Sequence, residues 1–196
     1  QGLAELQASD PRFQALDARL AEVLRGKAQT GNAGRLALGQ HAYNAQRFAA
    51  AARLWGEALD DDPSLAESRQ TQHPYNASCA AALAAAGQGQ NEPPLNDEAK
   101  ARLRAQALAW LQSELAIWTQ LLDSANEEQR TAIAQTLAHW QQDLDVASLR
   151  GDAIDSLPES ERPAWKQLWS QVAALLTRAG EASPTDTATI PGTIPD

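Results

Sequence analysis

Residues 32–65 read NAGRLALGQHAYNAQRFAAAARLWGEALDDDPSL. Two stretches of helical periodicity, roughly 32–45 and 48–60, flank the short break at Asn44-Ala45-Gln46-Arg47. A break that short turns the chain back on itself, so the two helices form an antiparallel hairpin. Gly39 and Ala51 carry little or no side chain and allow the helices to approach closely. Trp55 supplies a large apolar wedge between them, and Phe48 and Ala58 sit where an aromatic and a small residue suit the same contact. Pro63 closes the unit, because proline cannot continue a helix.

Working outward, the same reading gives helices on both sides. Asp10 is placed to cap a helix whose first turn holds Pro11, with Phe13, Leu16, Leu20, Val23 and Leu24 at three- and four-residue spacing and Gly26 as its stop. Further helices are predicted near 73–86 and 97–122, separated by the loop GQGQNEPPL, with Asn96 as cap and Asp97 and Glu98 favourable against the helix dipole. Leu103, Ala107, Leu111, Leu115, Trp118 and Leu122 form the stripe of the long helix, widened by Trp110, Ile117 and Leu121. Asn126 with Gln129 reads as a capping box for 127–143, with Ile133, Leu137 and Trp140 on one side. After a connector, Trp165, Trp169, Val172 and Leu176 mark a last helix near 160–179, with Pro163 in its first turn. The expectation is an all-α fold of about seven helices with no extended sheet. Residues 1–10 read as a lead-in, 11–179 as the helical domain and 180–196, with three prolines and no periodicity, as a tail or linker.

The hairpin follows the tetratricopeptide pattern W-x2-L-G-x2-Y, A-x3-F, P. Leu38-Gly39, Ala51, Trp55 and Pro63 fall on it, while Arg35 and Ala42 stand where tryptophan and tyrosine are usual. Any helical hairpin with small contact residues is the plainer reading. HPYNASCAAALAAAG at 73–87 and LRAQALAWL at 103–111 read as a second unit with an insertion between its helices. The fold expected is therefore a short right-handed array of tetratricopeptide-like hairpins. The order VLRGKAQ, LALGQ, FAAAARLWGEALDDDP, YNASCAAALAAAGQGQ, RAQALAWLQSELAIW, LAHWQQDLDVASLR and LPESERPAWKQLWSQVAALLTRA resembles the tetratricopeptide-containing region that follows the catalytic domain in planctomycete-type bacterial serine/threonine protein kinases. The resemblance spans most of 11–178 and implies an all-helical, non-catalytic region attached to a kinase. His73-Pro74 stands where that family usually carries a basic residue.

The composition narrows the function. The net charge of -9 disfavours nucleic acid and anionic membrane as partners. The one cysteine, Cys79, cannot form an internal disulfide, which suits a reducing, cytoplasmic setting. Neither a signal peptide nor a membrane-spanning run is legible, and the chain reads as part of a longer protein. Phosphate loops, HExxH and paired CxxC motifs are missing. His139 with Asp143 faintly resembles a kinase catalytic loop, but lacks its arginine and asparagine. His41, His73 and His139 are scattered, so the sequence suggests no metal, no cofactor and no catalytic residue. Asn76-Ala77-Ser78 matches a glycosylation sequon inside a helix, Cys79 reads as a small buried residue, and the six tryptophans read as core.

What remains is binding. The first helix of each repeat hairpin lines the inner face of such an array. That register places Leu36, Gln40, Tyr43, Asn44, Tyr75 and Asn76 on the inner face as the groove for a protein or peptide partner, with Cys79 nearby. Tyrosine and asparagine offer flat contact area and backbone-like hydrogen bonds. The alternative is a structural helical spacer, in which these residues pack on the next helix.

Overall fold

The computed structural model describes residues 10–90 and 93–181, so most of the expected lead-in and tail lies outside the described residues. The described chain is helical, with no strand: α1 (Pro11–Leu24), α2 (Asn32–Asn44), α3 (Phe48–Asp61), α4 (His73–Ala85), α5 (Asp97–Asp123), α6 (Glu127–Gln142) and α7 (Arg162–Gly180). Three short 3-10 helices, at Pro63–Glu67, Leu144–Leu149 and Gly151–Ser156, fill connections that the sequence reading leaves irregular.

Side chains close the helix starts as their chemistry demands. Asp10, Asn96 and Asn126 each accept a backbone N–H of the helix they precede, and Asn126 and Gln129 form the reciprocal capping box. Helix α1 ends on Gly26 at φ +70°, with the paired bonds Gly26 N–H to Val23 C=O and Lys27 N–H to Glu22 C=O. Helix α2 ends in the same way, but the left-handed position is Gln46 at φ 58°, where a Cβ is a cost. This turn reverses the chain within three residues and delivers α3 antiparallel to α2.

Helix α2 packs on α3, α3 on α4 and α4 on α5, while α6 packs on α7 and α7 returns to α5. The α2–α3 seam closes over Gly39. A Cβ built on Gly39 would lie 2.6 Å from Trp55 Nε1 and 2.7 Å from its Cδ1, well inside van der Waals contact. Trp55 is buried, and its indole N–H donates to the Leu36 carbonyl at 3.3 Å. Helix α4 is almost wholly buried, a run of alanines on which α3, α5 and the 3-10 helix Leu144–Leu149 all pack. Small side chains let three neighbours approach one helix at once. Trp55, Trp118, Trp140, Trp165 and Trp169 are buried core residues, and Trp110 is half-buried against Gly56. Leu16 and Leu121, expected on core stripes, are 41% and 40% exposed.

Two ion pairs tie distant segments together. Arg104 grips Glu161 through two bonds of 2.6 and 2.7 Å, joining α5 to the start of α7. Glu114 is fully buried in α5 and accepts from Arg69 Nη1 at 2.6 Å, pinning the α3–α4 connection. Its other oxygen, Oε1, and Trp118 Nε1 are buried without a hydrogen-bond partner. Burial pushes the Glu114 carboxyl up, while Arg69 pulls it back down.

Candidate functional site

The six residues expected to share one inner groove divide into four environments. Tyr43 and Tyr75 face inward, but what lies over them is the segment that follows α6. Tyr43, half-buried at the end of α2, donates its hydroxyl to Asp145. Tyr75, buried in the first turn of α4, donates to Asp143 Oδ2 at 2.8 Å and stacks on Trp140, with ring centroids 5.0 Å apart and planes 15° from parallel. Val146 and Leu149 of the covering 3-10 helix are buried, so this cover belongs to the core. Burial, followed by the neighbouring carboxylate, raises the pKa of Tyr43; burial also dominates the rise at Tyr75. Both phenols stay protonated and donate.

Asn76 turns to its own helix start, where its amide donates to the Thr71 carbonyl at 3.0 Å. Ser78 of the same tripeptide is fully buried and bonded to the carbonyls of Pro74 and Ala107, so the sequon is spent on packing. Leu36 is half-buried against the core and offers its carbonyl to Trp55.

Gln40 and Asn44 face the other way. They are exposed, one turn apart, and joined by a 3.0 Å bond from Gln40 Nε2 to Asn44 Oδ1. Both line an open groove of about 360 Å3 between α1 and α2, with Asp10, Arg12, Phe13, Leu16, Ala37 and His41 as its remaining walls. The Phe13 ring meets His41 edge-on at 4.5 Å, which fixes the groove floor. His41 is itself buried, 3.4 Å from Asp17. A wider cleft of about 500 Å3 runs between α5 and α7, walled by glutamines, alanines, leucines, Thr119 and Arg178. Arg178 is paired there with Asp123 at 2.8 Å.

Beneath the covering segment is a polar cluster of which the sequence reading paired only His139 with Asp143. Cys79 of α4 is buried, with its thiol 3.9 Å from Asp143 Oδ2. Asp143 ends α6, its Oδ1 accepts the Asp145 N–H at 2.9 Å, and its Oδ2 lies 3.3 Å from His139 Nε2. Ligand atoms of Cys79, Asp143 and Asp145 all lie within 4.8 Å of one another. Burial and then the charges of Asp143 and Asp145 push the Cys79 thiol well up. Arg150 holds the backbone beneath, donating to the carbonyls of Trp140 and Asp143 at 2.9 and 3.0 Å. The sequence separates Cys79 from Asp143 by 64 positions, and periodicity along one helix carries no information about such a pairing.

No helix among the described residues is long and apolar enough to cross a membrane. Comparison of the chain with protein-family models, with curated protein sequences and with solved structures gives no match in any of the three.

Proposed function

We propose that the chain is a non-catalytic protein-interaction module, of the kind its sequence resemblance implies beside a bacterial serine/threonine kinase domain, and that a peptide of its partner lies in the α1–α2 groove. The observation that carries this reading is the groove itself. Phe13, Leu16 and Ala37 give it an apolar floor, and two exposed amides, Gln40 and Asn44, stand on one wall. Side-chain amides can bond to the backbone of an extended peptide while an apolar side chain seats on Leu16. The net charge of -9 favours a basic peptide over an acidic one.

The location differs from the inner face suggested by the repeat register. Tyr43 and Tyr75 already hold Asp145 and Asp143 of this same chain. That internal use favours the second reading, a structural spacer with no partner on its inner face. Selection of peptides from a displayed library, followed by fluorescence anisotropy, separates the two. The binding reading expects saturable binders of basic character that are weakened by Leu16→Asp and by Asn44→Ala. A library that yields no saturable binder, or binders indifferent to both substitutions, leaves the spacer.

A further inference from the structure

We propose that Cys79, His139, Asp143 and Asp145 form a binding site for a zinc-like divalent cation. This inference is independent of the peptide-binding reading. Ligand atoms of Cys79 in α4, Asp143 at the end of α6 and Asp145 in the 3-10 helix that follows lie within 4.8 Å of one another, and His139 Nε2, 3.3 Å from Asp143 Oδ2, stands at the edge of this group as a donor of a third chemical type. Thiolate, imidazole and carboxylate together form the ligand class of zinc and cobalt, whereas calcium and magnesium take oxygen alone.

A tetrahedral ion sets the spacing these donors must reach, with His139, exposed on the last turn of α6, turning inward to complete the set. Metal bonds of about 2.0 Å to nitrogen and oxygen and about 2.3 Å to sulfur put neighbouring ligands about 3.3 Å apart for N and O and about 3.5 Å apart for S and O. His139 Nε2 lies 3.3 Å from Asp143 Oδ2, and Cys79 Sγ lies 3.9 Å from the same oxygen. The outer shell is also built. Tyr75 and Tyr43 donate hydroxyls to the two carboxylates, as supporting residues do around metal ligands. Charge supplies the second argument. The Asp143 side chain is only 14% exposed, and among the described residues neither carboxylate has a lysine or arginine within ion-pair distance. Two carboxylates held together away from water call for a cation. His139, 63% exposed, leaves an entry path from solvent.

Binding would deprotonate the thiol. The S–H bond breaks, the sulfur keeps the electron pair and shares it with the metal as a ligand, and one proton leaves to the buffer. Proton and metal compete for the same sulfur, so affinity falls as the pH is lowered.

The test uses the chelator-treated full chain titrated with Co2+ and then Zn2+. The expected result is one equivalent of Co2+ bound, tetrahedral visible bands, a thiolate-to-cobalt band in the near ultraviolet, displacement by Zn2+, and release of a proton. Cys79→Ser should abolish the charge-transfer band. His139→Gln, at an exposed position that leaves the core intact, should weaken binding by about tenfold or more. Circular dichroism verifies that both variants are folded. Failure to bind one equivalent, octahedral cobalt bands, or binding that persists unchanged in both variants overturns the site and leaves a hydrogen-bonded latch.

Discussion

Replacing Gly39 by alanine tests the seam on which the hairpin rests. The added Cβ would meet Trp55 Nε1 at 2.6 Å, Cδ1 at 2.7 Å and Cε2 at 3.0 Å. Ordinary carbon contacts lie at about 3.5–4.0 Å, so the ring or the helix must move by close to 1 Å. The ring has little room, because it is buried and its N–H is held by the Leu36 carbonyl. Overpacking of this kind costs about 1–3 kcal/mol. Alanine in a helix interior returns about 0.8–1.0 kcal/mol relative to glycine. With Trp55 present, Gly39→Ala should therefore be neutral to destabilising by about 2 kcal/mol. Trp55→Leu costs stability by itself but removes the obstacle, and in that background the sign should reverse, with alanine stabilising by up to about 1 kcal/mol. Urea unfolding followed by far-ultraviolet circular dichroism on the four proteins of the cycle gives the coupling, expected at about 1–3 kcal/mol. If Gly39→Ala stabilises equally in both backgrounds, the close approach of α2 to Trp55 is wrong.

Other outcomes follow from single sites. Gln46→Gly should raise stability by about 0.5–1 kcal/mol in the same urea assay, because Gln46 occupies a left-handed position at φ 58°. Tyr75→Phe keeps the stack on Trp140 but removes the bond to Asp143. A cost of about 1.5–3 kcal/mol is expected, with faster amide exchange confined to 143–150. Glu114 has a folded pKa above its ordinary value of 4.5, so between those two values folding takes up a proton. Its ionised form burdens the folded state at neutral pH, and that burden is relieved as pH falls through the folded pKa. The stability of the wild type relative to Glu114→Gln should therefore rise on acidification towards pH 4.5 and level off below it; a pH-independent difference in thermal melts would refute the raised pKa.

The helices were legible because each carries its own evidence. Asp10, Asn96 and Asn126 announce starts, Gly26 announces a stop, and stripes such as Leu103 to Leu122 fix which side is buried. Gly39 opposite Trp55 was readable for a further reason, since the two lie in one hairpin and their spacing fixes the contact. The inner face was not readable in the same way. Whether Tyr43 meets a partner or Asp145 depends on a contact across 102 positions, which no local pattern encodes. The segment after α6 forms two 3-10 helices of six residues each, too short to leave a period in the sequence. One signal was present and not used. Glu114 sits beside Leu111, Leu115 and Trp118 on the buried side of α5, and a charge among such neighbours implies a partner, here Arg69.

The reading of this chain as a binding module stands or falls on where a selected peptide touches it. Amide chemical shifts of the 15N-labelled chain, titrated with such a peptide, report this directly. Saturable shifts are expected in residues 12–16 of α1 and 37–44 of α2, around Leu16, Gln40 and Asn44. Shifts centred instead on Tyr75 and 143–149, or no saturable shifts with any selected peptide, would contradict it.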